Sequence, residues 1–154
     1  MTAVTILEQV KIQARVLVPL VRALRKELGE DRANALVRNA LGEVFRNYGR
    51  DWWQRQGAGG LGEKMQTLWQ TFAAGDALDY DVLKKGPDAY DLNVTGCRYA
   101  KFFQELGEPD LGFLLVCGQD FTFAEGFGAG VELKLTQTIM QGASHCDFRY
   151  RLKS

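Results

Sequence analysis

Thr136-Gln-Thr-Ile-Met-Gln-Gly-Ala-Ser-His-Cys-Asp-Phe-Arg-Tyr150 decides how the rest of the chain is read. It holds the single histidine of the protein and one of its three cysteines, with an acid and an arginine close by. The pattern is strand, break, strand. Val131 to Met140 is β-branched and Thr-rich, Gly142-Ala-Ser is turn-like, and Cys146 to Leu152 alternates polar with apolar. Successive strand side chains point to opposite faces, so the spacing predicts His145, Asp147, Arg149 and Arg151 on one face and Cys146, Phe148 and Tyr150 on the other. One face is then polar and reactive, the other core. A half-buried edge strand gives the same alternation, so periodicity separates the faces without assigning a function.

Working outward, the 154 residues are read as one domain, with a helical part over 1–75 and an α+β part over 76–154 that carries the chemistry. Lys+Arg and Asp+Glu both number 19, and no long basic run occurs, so no field draws the chain to nucleic acid or an anionic membrane. No apolar stretch is long enough to span a bilayer, and nothing resembles a signal peptide. Cys97, Cys117 and Cys146 are odd in number and widely spaced, which is not a secreted disulfide framework. Reduced thiols in a cytoplasmic protein are the expectation.

Leu7, Val10, Ala14, Leu17, Val21, Leu24 and Leu28 form a seam of period 3.5 along a first helix. Pro19 lies inside it and predicts a kink or a division, and Gly29 a stop. The seam packs either on later helices of the same chain, the favoured reading, or on a second copy, in which case this helix is the surface for a homo-oligomer. Asp31 is the expected N-cap of a second helix through Tyr48, and a third helix is expected from Leu61 to Phe72. Gly57-Ala-Gly-Gly60 is not a phosphate loop, because no Lys-Ser/Thr follows it and no strand precedes it.

Leu78–Leu83 and Tyr90–Thr95 then alternate around Lys84-Lys-Gly-Pro-Asp88, an antiparallel hairpin. Thr95 is the expected N-cap of a helix ending at Gly107, Pro109 opens another helical run through Val116, and Phe121 to Phe127 is a short aromatic segment. Runs of helices with a small, mostly antiparallel sheet define an α+β fold whose N-terminal half is helical.

With Thr95 as cap, Cys97 falls in the first helical turn, where the dipole favours thiolate, and Arg98 and Lys101 add positive charge. The competing reading is a small apolar residue at a helix start. Cys117 follows an apolar run, which suggests a buried inert thiol, but Asp120 stands one helical turn on. His145 and Cys146 point to opposite faces, so a His–Cys dyad would join His145 to Cys97 or Cys117. A Cys3His zinc site is a further reading, although the spacing lacks a C-x2-C hook; no metal and no cofactor is expected.

Asn93-Val-Thr-Gly-Cys-Arg-Tyr-Ala-Lys-Phe-Phe-Gln-Glu-Leu-Gly-Glu-Pro-Asp-Leu-Gly-Phe113, Cys117-x-x-Asp120 with Ala124-Glu-Gly126, and Thr136 through Arg149 together resemble the L-2-amino-thiazoline-4-carboxylic acid hydrolase family. The match is detailed over about the last 60 residues and loose over the helical half. The resemblance implies a small-molecule hydrolase that opens a cyclic amidine to N-carbamoyl-cysteine, acting on a carbon–nitrogen bond. It supplies positions, and the chemistry of ring opening assigns them roles: Cys97, Cys117 or Cys146 as nucleophile, His145 as base or acid, and Asp120, or else Asp147, orienting it or holding the amidinium. Arg149 or Arg98 would clamp the substrate carboxylate, and Asn93 joins the substrate-binding set. A non-catalytic module that binds or senses a small molecule, metal or cofactor is the alternative.

Overall fold

The computed structural model describes residues 3–153. The chain is α+β: a helical N-terminal half followed by a four-stranded antiparallel sheet with its own helices. Helix α1, Ile6–Leu28, opens on a capping box in which the Glu8 N–H donates to Thr5 Oγ1 at 3.2 Å and the Thr5 N–H donates to Glu8 Oε2 at 2.9 Å. Leu7, Ala14, Val18 and Val21 are its buried stripe, while Leu17 and Leu24 are half-buried and Ile12, Val16 and Leu20 face outward. Pro19 does not divide the helix. Its ring lies on the exposed side, and packed residues on both sides of it hold the element together at the cost of one backbone hydrogen bond.

Gly29, at φ 83°, ends α1 and caps α2, Glu30–Arg55, in a single step. Asp31 is therefore not the cap but a first-turn residue, where its charge still suits the positive end of the helix. Helix α2 also runs further than expected and carries Trp52 and Trp53, whose rings lie 5.4 and 4.9 Å from Phe127. Helix α3 spans Leu61–Ala73. No helix among the described residues is long and apolar enough to cross a membrane.

Strands β1, Leu78–Lys85, β2, Ala89–Cys97, β3, Val131–Lys134, and β4, Cys146–Leu152, pair in the order β1-β2-β4-β3. The last strand is thus interior, paired on both sides, and not an edge. Its alternation is as expected: Cys146, Phe148 and Tyr150 are buried, and Asp147 and Arg149 are half-exposed. Tyr90, Leu92 and Val94 of β2 join them in the main core with Leu61, Met65, Leu68 and Trp69 of α3.

The preceding strand is shorter than its Thr-rich sequence suggests. It stops at Lys134 because the Asp147 carboxylate, reaching from β4, accepts the Thr136 and Gln137 N–H groups at 2.8 and 3.0 Å and draws the chain out of the ladder. Thr138 then caps a 3-10 turn, Ile139–Gln141. Between the strands lie α4, Arg98–Glu105, α5, Pro109–Gly112, a π-helical turn over Phe113–Cys117, and α6, Gln119–Gly126, which takes up the aromatic segment.

Candidate functional site

Strand β2 keeps pairing with β1 as far as Cys97, opposite Leu78, so Thr95 lies inside the strand, at a bulge where its hydroxyl donates to Asp79 O at 3.3 Å, and cannot cap α4. Cys97 is the cap itself, its Sγ accepting the Ala100 N–H at 3.4 Å. The π turn places Cys117 at its end, with the Gly118 N–H donating to Phe113 O at 2.7 Å, five residues back. Asp120 follows on the first turn of α6. Cys146 opens β4, and its Sγ accepts the Ile139 N–H at 3.2 Å.

These four side chains come from four different elements and line one cavity of about 130 Å³. Its walls are otherwise almost wholly apolar: Val10, Ala14 and Leu17 of α1, Trp69 and Phe72 of α3, Val94, Phe103, Leu115 and Phe148. Gln13, exposed on α1, stands where the cavity opens, and Thr138 and Tyr99 are the remaining polar residues of the wall. The Tyr99 hydroxyl is committed, donating to Phe72 O at 2.8 Å.

Asp120 is the exceptional group. It is half-buried, set in the cavity wall, and no side chain or backbone donor among the described residues hydrogen-bonds its carboxyl. Burial alone pushes that carboxyl up to about 8. The thiols move the same way and not toward thiolate. Burial raises Cys97, outweighing its hydrogen bonds from Ala100 and Tyr99 backbone. Burial and the nearby Asp120 charge raise Cys117 well above its ordinary value, and burial lifts Cys146 to about 11. The expected low-pKa Cys97 is therefore corrected: as the cap it gains a backbone hydrogen bond, but the lost solvation is larger. Iodoacetamide labelling of the native protein should consequently be slow at pH 7.5 and accelerate only above the ~8.5 of a free thiol, in contrast to the unfolded chain. Rapid labelling of any of the three at neutral pH would contradict the burial argument.

The remaining sequence candidates lie elsewhere. His145, just ahead of β4, is held from the loop: Ser144 Oγ is 2.9 Å from Nδ1, and Gln137 Nε2 donates to His145 O at 2.9 Å. Asp147 is tied to Thr136 and Gln137; burial raises its carboxyl, but hydrogen bonds from the Thr136 hydroxyl and these backbone N–H groups outweigh that and hold it low. The Arg149 guanidinium donates to Leu92 O, Phe148 O and Asn93 Oδ1, each at 2.9 Å, on the outer face of the sheet. Beside it Arg151 grips Asp91 with both terminal nitrogens, and this pairing, chiefly its hydrogen bonding, lowers the Asp91 carboxyl. Arg98 is exposed and bonded to Asp76 O. None of His145, Asp147, Arg149, Asn93 or Arg98 lines the cavity. With His145 outside it, a Cys3His donor set does not assemble, and among the described residues no group of three or more His, Cys, Asp or Glu side chains is placed to hold a metal ion.

The inner face of the sheet thus carries a thiol- and acid-bearing cavity under the helices of an α+β domain. The chain belongs to the L-2-amino-thiazoline-4-carboxylic acid hydrolase family, whose model matches residues 9–150. None of the curated proteins matches it. Among solved structures it is similar to the phenol-responsive sensory domain of the transcription activator PoxR with phenol, at 12% identity and TM-score 0.55, covering 88% of this chain and 72% of that one. It is also similar to a trafficking protein particle complex subunit 3 from Naegleria fowleri covalently bound to palmitic acid, at 13% identity and TM-score 0.49, covering 94% and 97%. At such identities the first likeness shows the fold alone.

Proposed function

We propose that this protein hydrolyses a small cyclic amidine in the Cys97/Cys117/Cys146/Asp120 cavity, with Asp120 as the group that moves the proton. The observation that carries this reading is the unpartnered Asp120 carboxyl facing the ring-sized cavity. A carboxylate is a natural partner for an amidinium, and a proton affinity near the working pH suits a general base. In the opening of a 2-amino-thiazoline, the oxygen of water ends as the urea carbonyl on the carbon between nitrogen and sulfur. One of its protons ends on the ring nitrogen and the other on the departing sulfur. Asp120 takes a proton as the oxygen–carbon bond forms and returns one as the carbon–sulfur bond breaks. Both carbon–nitrogen bonds survive into the urea product, which is N-carbamoyl-cysteine when the ring carries a 4-carboxylate and a mercaptoethyl urea when it does not, so atom balance makes this a carbon–sulfur cleavage and not the carbon–nitrogen cleavage expected from the sequence.

Because the thiols are held protonated, water is the better nucleophile and the cysteines shape and line the cavity. Ring opening releases a thiol, so turnover is read with a thiol reagent on purified protein. Single Cys→Ala, His145→Ala and Arg149→Lys variants are expected to keep kcat/KM within about fivefold of wild type. Loss of two or more orders of magnitude in one Cys→Ala variant, with a burst of product, would replace water by that thiol as nucleophile.

A binding or sensing module is the second reading. The apolar walls favour it, and the solved sensory domain that shares the fold is described as responsive to phenol. Tight binding of a cyclic amidine without turnover would select it.

A further inference from the structure

We infer that the cavity takes a single small ring bearing an amidine or amine and no anionic substituent, with Asp120 as its one charged anchor. This rests on the proposed use of the cavity and narrows its substrate class.

Three observations carry it. The first is size. A cavity of about 130 Å³ compares with the roughly 150 Å³ apolar cavity that holds one benzene. One five- or six-membered ring fills the space, and a carboxylate attached to it has to lie against the wall or leave through the opening.

The second is charge. Among the described residues no lysine or arginine lines the cavity, and the one ionisable group there with a full charge to offer is an acid. A carboxylate drawn inside would meet Asp120 without any guanidinium or ammonium between them. Burying an unpaired anion is costly, and placing two together more so. The guanidinium groups that sequence placed near the site are committed elsewhere, Arg149 to Leu92, Phe148 and Asn93, and Arg98 to the Asp76 carbonyl.

The third is the opening. Gln13, the exposed polar residue there, offers a neutral amide and no charge. A cationic ring entering past Gln13 exchanges water for one carboxylate and apolar contact with Phe72, Phe103 and Phe148. A ring that is cationic at one end and anionic at the other gains the first interaction and loses solvation of the second.

The test compares 2-amino-thiazoline with 2-amino-thiazoline-4-carboxylate by calorimetric titration of the wild-type protein at pH 8.5. The carboxylate-free ring should bind at least about tenfold more tightly, a difference of ~1.4 kcal/mol. Asp120→Asn should remove that binding, and Gln13→Arg, on an exposed position, should narrow or reverse the preference. Equal or tighter binding of the carboxylate compound to wild type would overturn the inference, as would failure of both rings to bind at millimolar concentration. The two proposals fail separately. Preferred binding of the plain ring without thiol release would end the hydrolase reading and leave this one standing; efficient turnover with the carboxylate preferred would do the reverse.

Discussion

Asp120→Asn is expected to lower kcat/KM for ring opening by roughly 10²–10⁴-fold, and at the same time to make the fold more stable in alkaline solution. Both effects have one cause. The Asp120 carboxyl carries a value of about 8 in the folded protein because burial disfavours its charge, against ~3.9 in an unfolded chain. Between those values the folded state binds a proton that the unfolded state does not. The contribution of this group is therefore most favourable below about pH 4, declines as pH rises toward 8, and is flat above that. The full decline is on the order of 5 kcal/mol, reduced by whatever water the cavity admits. Asparagine cannot ionise, so wild type and variant should melt at similar temperatures at pH 4.5, with the variant higher by several degrees at pH 9. In the wild type, kcat/KM should climb as pH approaches 8, because only the ionised carboxylate accepts a proton. Thermal melts at the two pH values and a pH–rate profile are sufficient. Unchanged activity in Asp120→Asn would remove the proposed base, and a melting difference independent of pH would remove the buried charge.

That carboxyl was legible in the sequence only as a neighbour of Cys117, three residues on. Its isolation was not legible, because it depends on what roofs the cavity: Val10, Ala14 and Leu17 from α1, and Phe72 and Trp69 from α3, all more than forty residues away along the chain. The two faces of β4 were readable from alternation, and with them the separation of His145 from Cys146. Which face enclosed a cavity was not readable, since a polar outer face such as Asp91, Asn93, Arg149 and Arg151 can satisfy itself across strands. The same limit explains the local corrections. Thr95 has the residue type of a cap, but pairing of Cys97 with Leu78 extends the strand past it. The Thr-rich run after Lys134 has strand propensity, yet side-chain acceptance by Asp147 diverts it. In each case a contact from a distant segment overrides the local preference.

Substituting alanine at Gly49 or Gly126 should cost far more stability than at Gly42 of the same interface, because these two glycines let α2 and α6 touch backbone to backbone. A Cβ on Gly49 would collide with the carbonyl oxygen of Phe123, and a Cβ on Gly126 with the carbonyl oxygen of Arg46. The arrangement is reciprocal: Gly49 stands three residues after Arg46 and Gly126 three after Phe123, so each helix offers a glycine to the other's carbonyl. Neither obstacle is a side chain that can swing away; the helices must part. Overpacking of this kind typically costs about 1–3 kcal/mol and sometimes more, and the upper end applies where backbone is struck. Helix α6 also carries Asp120, so parting it from α2 shifts the carboxyl relative to Cys117 and Cys146, and turnover should fall along with stability. Gly42 is the internal control. It lies on α2 in the same interface, but its added methyl would meet Thr122 Cγ2 at 3.4 Å and the Arg46 guanidinium nitrogens at 3.7 and 3.9 Å, all ordinary contacts with side-chain atoms. There the gain in helix propensity, ~0.5–1 kcal/mol, should make Gly42→Ala neutral or stabilising. Urea unfolding of the three variants ranks them. If Gly49→Ala and Gly126→Ala unfold at the same urea concentration as Gly42→Ala, the close approach of α2 and α6 is not what holds Asp120 in place.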